Sequence, residues 1–138
     1  MGAVADADAM QDYLQKYLGV PDSQIRNLRD REATRAAIIE EIKAFSLDEN
    51  IKEGDPILIY YAGHGSWAKI PDGWVGSTGK IQLLIPHDHS SPLNFSNPKH
   101  GIPDRTLGAL LSHLASKKGD NIVRQTFILR KFIYQLTT

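Results

Sequence analysis

Gly63-His64-Gly65 is the feature of this sequence best suited to chemistry. It follows the apolar run Pro56-Ile57-Leu58-Ile59-Tyr60-Tyr61-Ala62. That run lacks apolar–polar alternation, the pattern of a central parallel strand buried on both faces. A histidine at the carboxyl edge of such a strand stands where open α/β folds build their sites. The flanking glycines permit a sharp turn and a close approach of another backbone to the ring and to the Gly65 N–H. The same three residues also read as a turn histidine that merely ends a strand. On residue type alone both readings stand.

His87-Asp88-His89 is the second cluster. Two histidines one residue apart point to the same side of an extended segment and can share a metal. Two ligands do not make a site, so a third would have to come from Asp88, His64 or His100; a solvated loop is the plainer reading. His113 reads as a helix-surface residue. Ser66, Ser90, Ser91 and Ser112 have no nucleophile motif around them. Trp67 and Trp74 suit either a peptide-binding cleft or a loop that covers itself with its own aromatics. Arg29, Arg31 and Arg35 suit a solvated helix entrance. The chain has no cysteine, which excludes disulfides, thiolate metal sites and a thiol nucleophile.

The elements that must position these groups alternate along the chain. Residues 5 to 18 repeat apolar side chains at helical spacing (Met10, Tyr13, Leu14, Tyr17, Leu18), and Gly19 and Pro21 stop them. Ile25 to Leu28 alternates like a short strand. A second helix, capped by Asp30 or Thr34, presents Ile38, Ile42 and Phe45 on one face. The strand Ile57–Ala62 follows and is expected to end abruptly at Gly63. A loop over 66–80, a strand Ile81–Ile85 and a loop over 87–101 come next. Pro103 then opens a helix with Leu107, Leu110, Leu111 and Leu114 on its stripe, closed by Gly119. A last strand is expected near Thr126 to Leu129. This order argues for a parallel sheet covered by helices.

Composition narrows the classes. The 138 residues suit one domain, and 16 basic residues cancel 16 acidic ones. That balance excludes a strongly basic nucleic-acid clamp. No apolar run approaches the ~20 residues that span a bilayer, and the start of the chain lacks a signal-peptide pattern. A cytoplasmic protein with neither nucleic-acid nor membrane partners is expected.

Four segments occur together in a recognisable order: Gly2-Ala3-Val4-Ala5-Asp6-Ala7, residues 28–35, residues 57–65, and Ile102-Pro103-Asp104-Arg105-Thr106-Leu107. In this the chain resembles caspase-like cysteine peptidases over residues 2–122, most closely the metacaspase-type, fungal-looking branch. The resemblance implies a three-layer αβα fold around a mostly parallel sheet. It implies a partial peptidase domain over 1–122 and an atypical C-terminal tail over 123–138. It also assigns roles: His64 as proton partner of a cysteine nucleophile, and the Gly65 N–H as part of the oxyanion hole. A cysteine with an ordinary pKa of ~8.5 needs such an imidazole, and the developing oxyanion needs preorganised donors.

The family's cysteine closes the next strand, in a motif like Asp-x-Cys-x-x-Gly. Here that strand, expected near Asn121, continues as Val123-Arg124-Gln125-Thr126-Phe127-Ile128-Leu129-Arg130 with no cysteine. The family's first strand precedes the Gly-Ala segment, and here only Met1 does. The resemblance therefore implies a fragment, first strand absent and last strand altered, as a splice form or a gene-model error would produce. Such a chain would be inactive alone. The alternative is a non-catalytic pseudopeptidase or decoy that self-associates or pairs with intact relatives through sheet edges. With the first strand absent, the stripes Tyr13/Leu14/Tyr17 and Ile38/Ile42/Phe45 would face a gap. By resemblance the substrates are peptides or proteins cut after Arg or Lys, or after Asp, and calcium is the only cofactor suggested.

Overall fold

Three helices and four strands follow from these patterns in a computed structural model that describes residues 2–74, 79–90 and 100–128. The first helix, α1, spans Ala3–Leu18 and ends at Gly19, whose φ of 68° gives the left-handed cap that favours glycine. The second, α2, spans Arg35–Leu47; its N-cap is Thr34, whose side chain accepts the Ala37 N–H at 3.1 Å. The third, α3, spans Asp104–Lys118, directly after Pro103. The strands are β1 (Ile57–Lys69), β2 (Lys80–Ile85), β3 (Ile102–Pro103) and β4 (Ile122–Ile128), ordered β3-β2-β1-β4 in one sheet. No helix among the described residues is long and apolar enough to cross a membrane.

The core sits where α2 and α3 pack together and α3 leans on β2 and β3. Ile42, Ile102 and Leu114 are buried there, Ile102 and Leu114 completely, and Ile57 is buried on β1. Full burial of such a side chain stabilises by roughly 1.5–3 kcal/mol, so the four buried among the described residues make a thin core. Gly101 is part of its construction: a Cβ there would lie 2.9 Å from the Leu84 carbonyl oxygen, so the chain crosses β2 only without one. α1 packs against β1 instead and buries none of its residues. Tyr13 and Tyr17, with tilted rings 5.5 Å apart, are 50% and 77% exposed and Leu14 is half-buried, whereas on α2 Ile42 is covered and Ile38 and Phe45 are half-buried.

The α/β class holds, but the sheet is not mostly parallel. Only β1 and β4 run parallel; β1–β2 and β2–β3 are antiparallel. The cause is β1 itself. It does not stop at Gly63 but continues to Lys69, and its second half forms a hairpin with β2 over residues expected to be loop. Ile25–Leu28 is extended but forms no strand, having no ladder partner among the described residues. The last strand begins at Ile122, earlier than its apolar pattern suggested, because pairing with β1 overrides a weak local signal. Leu129, where that strand was expected to end, lies outside the described residues, as does Ser91.

Candidate active site

The site begins with the way β1 and β4 are brought into register. Lys118, at the end of α3, donates from Nζ to the carbonyls of Asp48 (2.7 Å) and Ile51 (2.9 Å). The Gly54 N–H donates to the Lys118 carbonyl at 2.7 Å, and Asn121 Nδ2 donates to the Gly54 carbonyl at 3.1 Å. Gly119, with a φ of 83°, lets the chain pass close to Gly54; a Cβ would stand 3.1 Å from the Gly54 nitrogen. The Ile57 N–H then meets the Asn121 carbonyl at 3.0 Å, and the parallel ladder runs from Ile57↔Ile122 to Gly63↔Ile128.

His64 directly follows the last described rung of that ladder. It is the first residue of β1 to pair with β2, opposite Ile85, and it is exposed. Gly65 follows, half-buried and opposite Leu84. Strand alternation places His64 on the face of β1 that carries Leu58, Tyr60 and Ala62, away from the buried Ile57. An exposed imidazole can exchange protons with a group brought within hydrogen-bond reach of it.

Tyr61, on the opposite face, is the group that sequence reasoning passed over. Its hydroxyl lies 2.8 Å from the Ile85 carbonyl and 3.0 Å from the His64 carbonyl, the two residues that open the hairpin. Its ring lies over Gly63: a Cβ there would come 2.5 Å from Tyr61 Cζ and closer still to the hydroxyl oxygen. Burial pushes the phenol up to about 12. The available signal was the spacing Tyr61-x-Gly63, which puts a large ring and a residue without a Cβ side by side on one strand face.

The other candidates scatter. Asp88 Oδ1 accepts the Arg35 N–H at 2.8 Å at the start of α2, and the His87 N–H donates to the Ala33 carbonyl at 2.9 Å. The His-Asp-His segment thus docks the end of the hairpin onto a helix N-terminus. His87, His89, His100 and His113 are exposed, as are Ser66 and Ser112. No group of three or more metal-binding side chains comes together among the described residues. Trp67 lies on β1 with Lys80 Nζ 5.2 Å from its ring centre, and Trp74 takes Arg105 at 5.0 Å. Arg29 is more than a solvated charge, since it forms a 2.6 Å ion pair with Asp8 of α1.

A family model described as the caspase domain matches residues 1–126. No curated protein and no solved structure matches the chain.

Proposed function

We propose that this chain, which belongs to the caspase-domain family, carries the histidine half of a cysteine-peptidase dyad and lacks the other half. In such a dyad the imidazole takes the thiol proton, and the thiolate attacks the peptide carbonyl carbon. Backbone N–H groups hold the resulting oxyanion, and the imidazole passes its proton to the leaving amine as the peptide bond breaks. His64 is assigned the proton-transfer role and the Gly65 N–H the oxyanion role. The observation that carries this reading is the position of His64, exposed directly after Gly63, the last residue of β1 paired in parallel with the described part of β4. The 138 residues contain no thiol to complete it. The chain is therefore a caspase-family peptidase fragment that is catalytically silent alone, of the metacaspase type by its motifs.

Purified chain is expected to cleave no reporter peptide with Arg, Lys or Asp before the cut, with or without calcium. Turnover that disappears in His64→Ala would overturn the missing-nucleophile reading.

A second reading, a non-catalytic module that pairs with a copy of itself or with an intact relative, is favoured by one observation. Leu58 and Val123, opposite each other in the register, are 38% and 57% exposed, and β4 is an edge of the described sheet. Sedimentation velocity distinguishes the two. Self-association weakened by Val123→Lys supports the pairing module, and a monomer that also ignores an intact relative removes it.

A further inference from the structure

We infer that Tyr61 is the positioning residue for His64: its hydroxyl lies against the His64 and Ile85 carbonyls at the point where the β1–β2 hairpin opens. The need for such a contact comes from the topology. Within a ladder, backbone carbonyls find N–H partners in regular order, but beyond its last rung that order stops and a carbonyl needs a donor from elsewhere. β2 pairs with β1 on the edge opposite β4, and His64↔Ile85 is the last rung on that edge. The Tyr61 hydroxyl supplies the donor, 2.8 Å from the Ile85 oxygen and 3.0 Å from the His64 oxygen.

The same geometry gives a reason for Gly63. The phenol reaches the two carbonyls only by passing over the Gly63 Cα, through the volume a Cβ would fill. Gly63 thus serves the side chain two residues before it, and the pair fixes the backbone that projects the imidazole. The raised phenol pKa reflects the burial of the hydroxyl in this position. Tyr61 does not touch a substrate here; it acts through His64.

This inference rests on the proposed role of His64, but its test reads backbone geometry and not turnover, so the two can fail separately. In the full chain, Tyr61→Phe keeps the ring over Gly63 and removes the hydroxyl. Expected are changes in the His64 and Ile85 carbonyl carbon shifts and in the His64 Cα–H residual dipolar coupling. Amide exchange at 64–66 and 83–85 should quicken by roughly five-fold, the change that losing one ordinary hydrogen bond brings. Tyr13→Phe, on the exposed face of α1, should change none of these. Wild-type protein gives an independent reading that needs no folded variant. Tyr61 should titrate near 12, with the Ile85 carbonyl shift following it. Unchanged His64 and Ile85 signals in Tyr61→Phe, or a Tyr61 titration that the Ile85 carbonyl ignores, would overturn the inference.

Discussion

The two halves of β1 are one continuous strand doing different physical work. Residues 57–63 pair in parallel with β4, and Ile57 anchors them in the core. Residues 64–69 pair antiparallel with β2, and Trp67 among them is 65% exposed. The first half is held by burial; the second is held by its ladder, by the Tyr61 hydroxyl and by contacts at its rim. His64 sits at the join, where a strand anchored in the core at Ile57 delivers a side chain to an exposed ledge. A site needs both, a fixed backbone and open access to solvent, and β1 meets the two needs in sequence rather than in different elements.

The largest expected effect tests the buried half. Ile57→Ala removes most of a 7% exposed side chain and should cost about 2–5 kcal/mol in urea unfolding followed by circular dichroism. A loss below about 1 kcal/mol would mean the parallel half is not anchored by burial.

The join comes next. Gly63→Ala places a methyl group against the Tyr61 ring and should destabilise by about 1–3 kcal/mol. Combining it with Tyr61→Val, which vacates that space, should recover part of the loss. Simple additivity in the double-mutant cycle would show that the two residues do not share the space.

The far end of the hairpin is tied down more weakly. Asp88→Ala leaves the Arg35 N–H without its carboxylate and should cost about 0.5–2 kcal/mol, the range for lost helix N-terminal acceptors. The loss should appear first as faster amide exchange in the first turn of α2, and unchanged protection there would show that Asp88 does not hold it.

Alkaline pH should act on the join. An unfolded tyrosine ionises near its ordinary value of 10, whereas burial holds folded Tyr61 protonated until about 12. Above pH 10 the unfolded chain has therefore lost a proton that the folded chain keeps. This contribution is intact below pH 10 and is lost as pH rises through about 12. Urea midpoints should fall more steeply with alkalinity in wild type than in Tyr61→Phe, and parallel declines would refute it.

The smallest effect tests the exposed half. Trp67→Ala removes only a surface ring and its Lys80 contact and should change stability by no more than about 1 kcal/mol. A loss comparable to that of Ile57→Ala would erase the distinction between the halves.

The contrast also shows where local sequence loses its authority. The helices are legible because their signals are short-range: apolar residues at helical spacing, Thr34 as a cap, Gly19 and Gly119 as stops. Gly63-His64-Gly65 looks like the end of a strand, yet β1 runs through it, because β2 offers a ladder that residues 64–69 alone do not announce. His87-Asp88-His89 looks like a metal segment, yet Asp88 meets the N-terminus of α2, 53 residues away in the chain.

By itself, then, the sequence determined the helices, the α/β class, the likeness to caspase-like peptidases, the place of His64 after an apolar run and the want of a thiol. Those depend on residue type and on spacings of a few residues, where steric and hydrogen-bonding preferences act directly. Only the tertiary structure decided the direction of each strand pair, the length of β1, and the grip of Tyr61 on the carbonyls beside His64. Strand pairing joins residues far apart in the chain, and its partner is chosen by which backbone edges burial brings together; no local pattern encodes that choice.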